Sequence, residues 1–363
     1  MADQAVSDRE QKILGIIETA RGKRAKFRDS QITMAHGAGG KATQTLIEGL
    51  FVPAFGGDAL EAMGDAGTIA VDGLQLALTT DSYVVKPLRF PGGSIGELAI
   101  NGTVNDLAVA GARPLALSVS LILEEGLSAE ELRAEVEAIA QTARAAGVQI
   151  IAGDTKVVER GHADGMYVCT TGIGQRDPRA TLAPSALRPG DRILLSGSIG
   201  EHGTAIMLAR NQFDLDALIE SDTCSLWPAV DALLGAVGPE LRCLRDATRG
   251  GVASVLNELA RASSVAMIVR EGDVPVQPAV AGAAEILGID PMYVANEGKM
   301  VAFVSPEAAP AALQTLRSVP GCEDAAEIGE VRTEPPGMVL VHTSFGGRRV
   351  MDQLVGDPLP RIC

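Results

Sequence analysis

The sequence predicts an α+β protein with two domains. Its 363 residues are enough for two domains of ordinary size, and 46% of them are hydrophobic, which is enough to build packed cores. Strand-like and helix-like patterns are mixed along the chain without a strict βαβ repeat, which favours α+β over α/β. A connector at 175–190, with turn-forming Pro and Gly residues, separates the two halves.

The first domain carries a clear local signal for most of its elements. Two apolar runs flank Asp72-Gly73, a dipeptide that favours a tight hairpin turn. Ser128 and Glu131 form a capping box for a helix that Gly147 ends. In chain order, the pattern predicts strands at 69–71 and 74–79, a helix at 95–110, a strand at 115–123, a helix from 128 to 146, and strands at 148–152 and 166–172. The strand at 148–152 is expected to end in a turn at 153–155.

A further series of apolar runs predicts the second domain. It comprises a strand at 192–196, a glycine loop at 197–203 with a helix to 209, a helix at 252–261, strands at 265–269 and 300–304, a helix at 306–317 and a strand at 338–341. The expected organisation is an N-terminal extension (1–30), a first domain (31–178), a second domain (186–345) and a flexible tail (346–363).

The composition excludes several classes of function. The chain has 31 Lys and Arg against 46 Asp and Glu, a net charge of −15, which disfavours binding to nucleic acid or to an anionic membrane surface. No apolar run approaches the roughly 18 residues of a membrane helix. The five cysteines form no CxxC pair and match no zinc motif, which suits a reducing compartment. We therefore expect a soluble cytoplasmic protein.

The chain ends in a thiol, Cys363, on a segment that contains Pro358 and Pro360. Proline is excluded from helix interiors and central strands, so this segment is expected to be an extended arm. Residues 355–363 would reach roughly 30 Å when fully extended. An arm with a terminal thiol suits a swinging carrier of a covalently bound group. The alternative is a chain end without function.

Two patterns point to a nucleotide. The loop His36-Gly37-Ala38-Gly39-Gly40-Lys41 would let backbone N–H groups approach phosphate oxygens, although it is neither a Walker A loop nor a GxGxxG motif. Aspartates also follow apolar runs in polar, glycine-containing contexts, at Asp81, Asp106, Asp154 and Asp246. Mg²⁺ with a nucleotide needs a few such carboxylates. For each single aspartate, the alternative is a cap or turn residue.

Two segments of the second domain are further candidates. Residues 196–203 (Ser-Gly-Ser-Ile-Gly-Glu-His-Gly) precede a predicted helix, where backbone N–H groups bind anions. A strand–helix turn that needs glycine for packing is the alternative. Glu297, in Ala295-Asn296-Glu297-Gly298, is a candidate general base, and a surface loop residue is the alternative.

The combination of segments resembles the HypE family of hydrogenase maturation factors. The segments that carry the resemblance occur in order at 36–40, 80–82, 92–112, 153–158, 196–203, 246–251, 295–298 and 360–363. HypE proteins are carbamoyl dehydratases of the superfamily of aminoimidazole ribonucleotide synthetase and selenophosphate synthetase. The terminal Pro-Arg-Ile-Cys distinguishes them from these relatives. Ser94 and Asn101 depart mildly from the family pattern.

The resemblance implies a two-domain PurM-like (AIR synthetase-like) fold. The first-domain sheets of two subunits would join in a dimeric barrel, the second domain would be α+β, and the tail would be mobile. The implied reaction is ATP-dependent dehydration of a carbamoyl group on Cys363 to a thiocyanate, with release of ADP and phosphate. HypF would donate the carbamoyl group. The HypC–HypD complex would accept the cyanide for the nickel–iron hydrogenase centre.

The resemblance also implies the site residues and the cofactors, ATP and Mg²⁺. Cys363 would carry the substrate, Glu297 would accept protons, and Lys156 would neutralise charge near the carboxamide. The implied nucleotide-binding residues are His36, Gly37, Gly39, Gly40, Asp81, Asn105, Gly153 and Thr155. The implied metal ligands are Asp81, Asp106, Asp154 and Asp246. Another ATP-using synthetase of the superfamily and a non-catalytic thiol carrier or scaffold are the alternatives.

Overall fold

The computed structural model describes residues 26–57, 64–210, 218–354, 356 and 361–363. Most of the predicted N-terminal extension, residues 1–25, and both tail prolines lie outside the described residues. Across the described part of the chain, no helix has both the length and the apolar character that a membrane crossing requires.

The first domain is built on a five-stranded sheet and a short ribbon. Its strands are β1 (Gly67–Val71), β2 (Leu74–Tyr83), β3 (Arg89–Phe90), β4 (Gly93–Ser94), β5 (Ala112–Glu124), β6 (Gln149–Val158) and β7 (Met166–Arg176). The sheet has the order β1-β2-β7-β5-β6, and β3 pairs with β4 to form the ribbon. Neighbouring strands of the sheet are antiparallel, except for the parallel pair β5 and β6.

The second domain is built on a seven-stranded mixed sheet. Its strands are β8 (Arg192–Leu195), β9 (Leu241–Asp246), β10 (Ala266–Arg270), β11 (Met300–Val304), β12 (Ala326–Arg332), β13 (Met338–His342) and β14 (Arg348–Met351), in the order β14-β13-β10-β12-β8-β11-β9. Along β11, Val301 and Phe303 pack in one hydrophobic core, whereas Met300, Ala302 and Val304 pack in another. Both faces of this sheet are therefore covered.

The helices are α1 (Lys41–Leu46), α2 (Val52–Phe55), α3 (Ile95–Val109), α4 (Ala129–Ala145), α5 (Glu201–Ala209), α6 (Trp227–Val237), α7 (Gly251–Ala262), α8 (Pro278–Leu287) and α9 (Ala309–Arg317). Helix α3 is buried along almost its whole length, as expected for a helix that is apolar on nearly every side. It contacts β2 and β7 of its own domain and also β9 and α6 of the second domain. Polar residues of α3 therefore reach the junction between the domains.

The structure confirms the α+β class and most of the predicted elements. Asp72 (φ 48°) and Gly73 (φ 83°) form the hairpin turn between β1 and β2, and the Ser128 hydroxyl accepts the Glu131 N–H at 3.0 Å where α4 begins. The sequence analysis did not predict α1, α2, α6 or α8, nor β9, β12 or β14, nor the β3–β4 ribbon. Strand β14 lies in the segment expected to be flexible tail, where it pairs with β13.

The turn expected at 153–155 is wrong. Strand β6 continues through these residues to Val158 and pairs with β5 in parallel. The β-branched residues Thr155, Val157 and Val158 favour this continuation. Asp154 and Lys156 therefore lie within an edge strand rather than at its end.

The five-stranded sheet has large exposed apolar side chains. Ile151 and Val157 on β6 are each 67% exposed, and Ile69 on β1 is 60% exposed. Leu78 on β2 and Leu115 on β5 are also exposed. Apolar surface of this extent on a sheet is typical of an interface with another protein surface.

Candidate functional site

Three aspartates meet at the junction between the two domains. Asp65 precedes β1, Asp106 lies on α3 and Asp246 ends β9, and one carboxylate oxygen from each lies within 4.8 Å of the other two. The Thr79 hydroxyl donates a hydrogen bond to Asp106 Oδ2 at 2.6 Å. Arg245 Nη1 lies 3.1 Å from Asp65 Oδ1. Three separate segments thus build one acidic cluster, which we define as Asp65, Asp106 and Asp246.

Burial and mutual repulsion disfavour the ionised form of these carboxyls. Burial, followed by the charge of Asp65, raises the pKa of Asp246 from 3.8 to about 8. Burial, followed by the charge of Asp246, raises the pKa of Asp106 well above its ordinary value. Burial also raises the pKa of Asp65, although Arg245 opposes this shift. The cluster must therefore retain protons or acquire positive charge.

The cluster fits a divalent cation. Mg²⁺ prefers carboxylate oxygens and is usually held by one or two carboxylates, water and substrate phosphates. Its charge would relieve the repulsion that raises these pKa values. The sequence analysis missed Asp65. The signal for it was an aspartate between Gly64 and Gly67, directly before an apolar strand.

The glycine-rich loop lies against Arg249, close to the acidic cluster. A Cβ built on Gly39 (φ 76°) would lie 2.7 Å from Arg249 Cβ, so this position requires glycine for space as well as conformation. Arg249 Nη1 donates to the Gly37 carbonyl at 3.4 Å, and its Nη2 lies 3.8 Å from Asp81 Oδ1. Arg249 thus links the loop from the N-terminal part of the chain to β2 of the first domain.

His36 and Lys41, which flank this loop, are held by other partners. The His36 Nε2 lies 3.0 Å from Asp29 Oδ2, and the Thr33 N–H donates to its Nδ1 at 3.0 Å. Lys41 Nζ forms an ion pair of 2.8 Å with Asp352. The expected role of His36 in nucleotide binding therefore stays a prediction.

Asp81 and Glu297 lie beside the acidic cluster. The Tyr83 hydroxyl donates to Asp81 Oδ2 at 3.1 Å. Burial raises the pKa of Asp81, and Arg249 opposes this shift. Burial, and then the charges of Asp222, Asp246 and Asp81, raise the pKa of Glu297 well above its ordinary value. The charges of Asp81 and Asp246 therefore both act on the Glu297 carboxyl.

The backbone of the Glu297 segment is firmly held. The Glu297 and Gly298 N–H groups donate to the Asp222 carboxylate at 3.0 and 3.2 Å. The Asn105 amide donates to the carbonyls of Glu297 at 3.2 Å and Cys224 at 2.9 Å, and its Oδ1 accepts the Leu226 N–H at 2.7 Å. Asn105, expected at the nucleotide, thus positions the Glu297 segment in this structure. Among the described residues, Glu297 Oε1 is buried without a hydrogen-bond partner.

The C-terminal cysteine reaches this site. Cys363 is half-buried, and a main-chain carboxylate oxygen of this residue accepts the Val84 N–H at 3.1 Å. The pKa of Arg249 is raised, and the main cause is negative charge at Cys363, followed by the opposing effect of burial. The structure therefore brings Cys363, Arg249, Asp81, Glu297 and the acidic cluster into one region.

Four candidate residues lie apart from this region within one chain. Gly153, Asp154, Thr155 and Lys156 are on β6, and β7 and β5 separate β6 from β2. At about 4.8 Å per strand, this is roughly 14 Å from β2. Lys156 Nζ lies 2.6 Å from Asp154 Oδ2, and hydrogen bonding from Lys156 lowers the Asp154 pKa. Both side chains are exposed.

We predict that the stability of the metal-free protein falls as pH rises from 6 to 8.5. The pKa of Asp246 is about 8 in the folded protein, against 3.8 ordinarily. Between these two pKa values the folded state holds a proton that the unfolded state has lost, so the free energy of unfolding falls as the pH rises toward 8. Thermal unfolding should show a Tm lower at pH 8.5 by a few °C, on the order of 2–4 °C. Added Mg²⁺ should raise Tm, and more strongly at pH 8.5.

Asp246→Asn should reduce both the pH dependence and the Mg²⁺ response. Asp273→Asn is the control, because Asp273 pairs with Arg270 at the surface, and it should retain both. A Tm that depends on neither pH nor Mg²⁺ in the wild-type chain would contradict the assignment of the cluster.

Family models match most of the chain. The model for the N-terminal domain of AIR synthase related proteins matches residues 63–175, and the model for their C-terminal domain matches residues 188–341. A carbamoyl dehydratase HypE from Bradyrhizobium diazoefficiens is 47% identical over 341 residues, which are 94% of this chain and 99% of that protein. The carbamoyl dehydratase HypE of Escherichia coli is 45% identical over 92% of this chain and 100% of its own length.

Solved structures show the same similarity. A crystal structure of a HypE–HypF complex contains a chain with 43% identity and a TM-score of 0.81, over 85% of this chain and 99% of that one. A crystal structure of HypE in complex with ATP has 43% identity and a TM-score of 0.77, over 92% and 100%. A structure of AaThiL, at 18% identity and a TM-score of 0.66 over 89% and 99%, shows the fold alone.

Proposed function

The chain belongs to the HypE family of AIR synthase related proteins, and from this membership we propose that it is an ATP-dependent carbamoyl dehydratase of hydrogenase maturation. The observation that carries the proposal is the position of Cys363, whose main-chain oxygen accepts the Val84 N–H and which packs against the hydrophobic cluster that contains Tyr83 and Ala295. Tyr83 donates a hydrogen bond to Asp81, and Ala295 lies two residues before Glu297. A ribonucleotide synthetase has no use for a thiol at this place. A passive carrier does not need the acidic cluster beside it.

The proposed reaction proceeds in two balanced steps. The oxygen of S-carbamoyl-Cys363 attacks the γ-phosphorus of ATP, which breaks the bond to the ADP oxygen, and loss of the first N–H proton gives an S-bound phosphorylated imidate. Loss of the second N–H proton then expels phosphate as the C–O bond breaks, and the carbon–nitrogen triple bond of the thiocyanate forms. The amide releases two protons in total. Phosphorylation is needed because the carboxamide oxygen is a poor leaving group.

Charge neutralisation and positioning supply most of the catalysis in phosphoryl transfer. We propose that Asp106 and Asp246, with Asp65, hold Mg²⁺, which would neutralise charge on the phosphates. Asp81 holds Arg249, and the loop at 36–40 closes over the nucleotide. The Arg249 guanidinium lies between this loop and Asp81, where it would stabilise negative charge on a transferred phosphoryl group.

We propose Glu297 as the proton acceptor. It is buried, and its Oε1 has no hydrogen-bond partner among the described residues, so this oxygen is available to a substrate proton. Repulsion from Asp246 and Asp81 contributes to its raised pKa. Positive charge at the acidic cluster would cancel this repulsion and lower the pKa, so the base would ionise when the site is loaded.

We propose that two chains form a homodimer through the exposed face of the five-stranded sheet. The exposed apolar residues on β1, β2, β5 and β6 support this interface, and the exposed pair Asp154 and Lys156 lies on the edge strand β6. In such a dimer, Asp154 and Lys156 would face the neighbouring subunit, whereas Gly153 and Thr155 point to the opposite face of the sheet, since side chains alternate along a strand. The proposed role of Lys156 beside the carboxamide would then be exerted across the interface.

The proposed partners act on the tail. HypF is the proposed donor of the carbamoyl group, which the solved HypE–HypF complex of a relative supports. The HypC–HypD complex is the proposed acceptor of the cyanide. The thiol must leave the site to meet either partner. We propose that these exchanges take place in the cytoplasm.

Intact-protein mass spectrometry with HypF, carbamoyl phosphate and Mg-ATP tests the proposed reaction. The wild-type chain should gain a carbamoyl group and then lose one water. Cys363→Ala should gain neither adduct. Glu297→Gln should accumulate the carbamoyl form, because loss of a general base slows dehydration by roughly 10²–10⁴-fold.

Glu285→Gln is the matched control for the carboxylate, because Glu285 is exposed on α8, and it should react like the wild-type chain. An active HypF that leaves the wild-type mass unchanged would reject the dehydratase assignment. Equal dehydration rates for Glu297→Gln and wild type would reject Glu297 as the base.

Sedimentation velocity tests the dimer. The wild-type chain should sediment as a dimer at micromolar concentration, and Ile151→Asp should weaken association by roughly 10–100-fold, because it places a charge in an apolar interface. Val136→Asp, at an exposed apolar position on α4, is the control and should remain dimeric. A monomeric wild-type chain would contradict the proposed interface.

A further inference from the structure

The last three residues of the chain are bound by groups from both domains. Their three main-chain oxygens each accept a hydrogen bond. Arg210 donates to the Arg361 carbonyl, His202 Nε2 lies 2.7 Å from the Ile362 carbonyl oxygen, and the Val84 N–H donates to a main-chain carboxylate oxygen of Cys363 at 3.1 Å. Val84 belongs to the first domain, whereas His202 and Arg210 belong to the second.

The Arg361 side chain has a pocket of its own. Its guanidinium forms an ion pair with Asp164, donates to the Val84 carbonyl at 3.1 Å and lies 6.0 Å from the centre of the Tyr167 ring. Hydrogen bonds from Lys86 and then Arg361 lower the pKa of Asp164 to about 2, against the effect of burial, so the carboxylate stays charged throughout the physiological range. The backbone of Arg361 has a φ of 59°, which turns the chain into the site.

The Ile362 side chain is an apolar anchor. It is 4% exposed and belongs to a hydrophobic cluster that also contains Phe90 of the first domain and Ile206 and Val294 of the second. Burial of an isoleucine side chain removes apolar surface from water and so favours the docked state. A polar side chain at this position would lose that contribution and bring a desolvation cost.

The hydrogen bonds around His202 fix which ring nitrogen carries the proton. The imidazole is fully buried and edge-on to Phe90 at 5.6 Å between ring centres. The Ser221 hydroxyl accepts the Thr223 N–H at 3.2 Å, so its own proton is available to His202 Nδ1 at 2.8 Å. With Nδ1 as acceptor, the neutral ring carries its proton on Nε2 and donates it to the Ile362 carbonyl.

We propose that Asp164, His202 and Arg210 form a receptor for a C-terminal Arg-Ile-Cys segment, which recognises this peptide end as a ligand even when it is not part of the same chain. Asp164 forms an ion pair with the arginine, the apolar cluster buries the isoleucine, and His202 and Arg210 donate hydrogen bonds to main-chain carbonyls. These three are positioning residues, since they contact the residues before the thiol. The inference rests on the proposed function in one respect, the role of the docked state, which is to hold the thiol at the dehydration site until it is released to partners.

Reactivity of the Cys363 thiol in the full-length chain measures how much of the tail is bound. Iodoacetamide should react slowly with the docked thiol, and mass spectrometry of the 357–363 fragment, cut before Asp357, reports this position alone. Asp164→Asn should accelerate alkylation by roughly threefold to tenfold, as expected for loss of a charge-assisted hydrogen bond. Asp177→Asn, which removes an equally buried partner of Arg179 elsewhere, should not.

His202 is tested with two variants of similar size. His202→Met removes the donor to the Ile362 carbonyl and should accelerate alkylation by a similar factor. His202→Gln places an amide N–H where Nε2 lies and should restore slow alkylation. Equal rates for both variants would reject His202 as a positioning residue. Because Asp164 is only half-buried, whereas His202 is fully buried, the Asp164 variant remains informative if the His202 variants do not fold.

Competition in trans tests the receptor directly. A tethered tail has an effective concentration on the order of 1 mM, so a free peptide must exceed this value to displace it. Pro-Arg-Ile-Ser with a free carboxylate, at about 10 mM, should accelerate alkylation of Cys363 severalfold, whereas Pro-Arg-Asp-Ser should not. No acceleration by either peptide, or equal acceleration by both, would overturn the proposal. The assay contains no ATP, HypF or carbamoyl donor, so its outcome is independent of the dehydratase assignment.

Discussion

Carboxyl groups from both domains are concentrated at the junction between the domains. Asp65, Asp81 and Asp106 come from the first domain and Asp246 from the second, and burial raises the pKa of each. Arg245 and Arg249 offset part of this charge. The carboxylate charge that these arginines do not offset can be neutralised by protons or by a bound divalent cation. The junction between the domains is therefore poised to bind a cation and to respond when it does.

The tail extends this arrangement to the substrate. Main-chain oxygens and the Arg361 side chain of the tail are bound by both domains, and the cysteine that follows packs against the hydrophobic cluster that contains Tyr83 and Ala295. Arg249 connects the glycine-rich loop to Asp81 on the acidic side of the site. Phosphoryl transfer to the carbamoyl group on Cys363 then requires that this group and ATP be held together in a partly desolvated site, and positioning of this kind contributes strongly to the rate.

Local elements could be predicted from the sequence because their signals are local. The Asp72-Gly73 turn and the capped helix α4 depend on residues within a few positions of each other. The continuation of β6 through Gly153 was missed because its pairing with β5, which is distant in sequence, overrides a local turn signal. Asp65 and the role of His202 were also missed, since each depends on partners that folding brings from other segments.

The most direct test of the central claim is to follow the carboxamide oxygen that is lost in the dehydration. Cys363 can be carbamoylated chemically with cyanate labelled with oxygen-18, and the phosphate released after addition of Mg-ATP can then be examined by mass spectrometry. If the carboxamide oxygen is phosphorylated at this site, the label will be found in the phosphate. Phosphate without the label, formed together with thiocyanate at Cys363, would contradict the account.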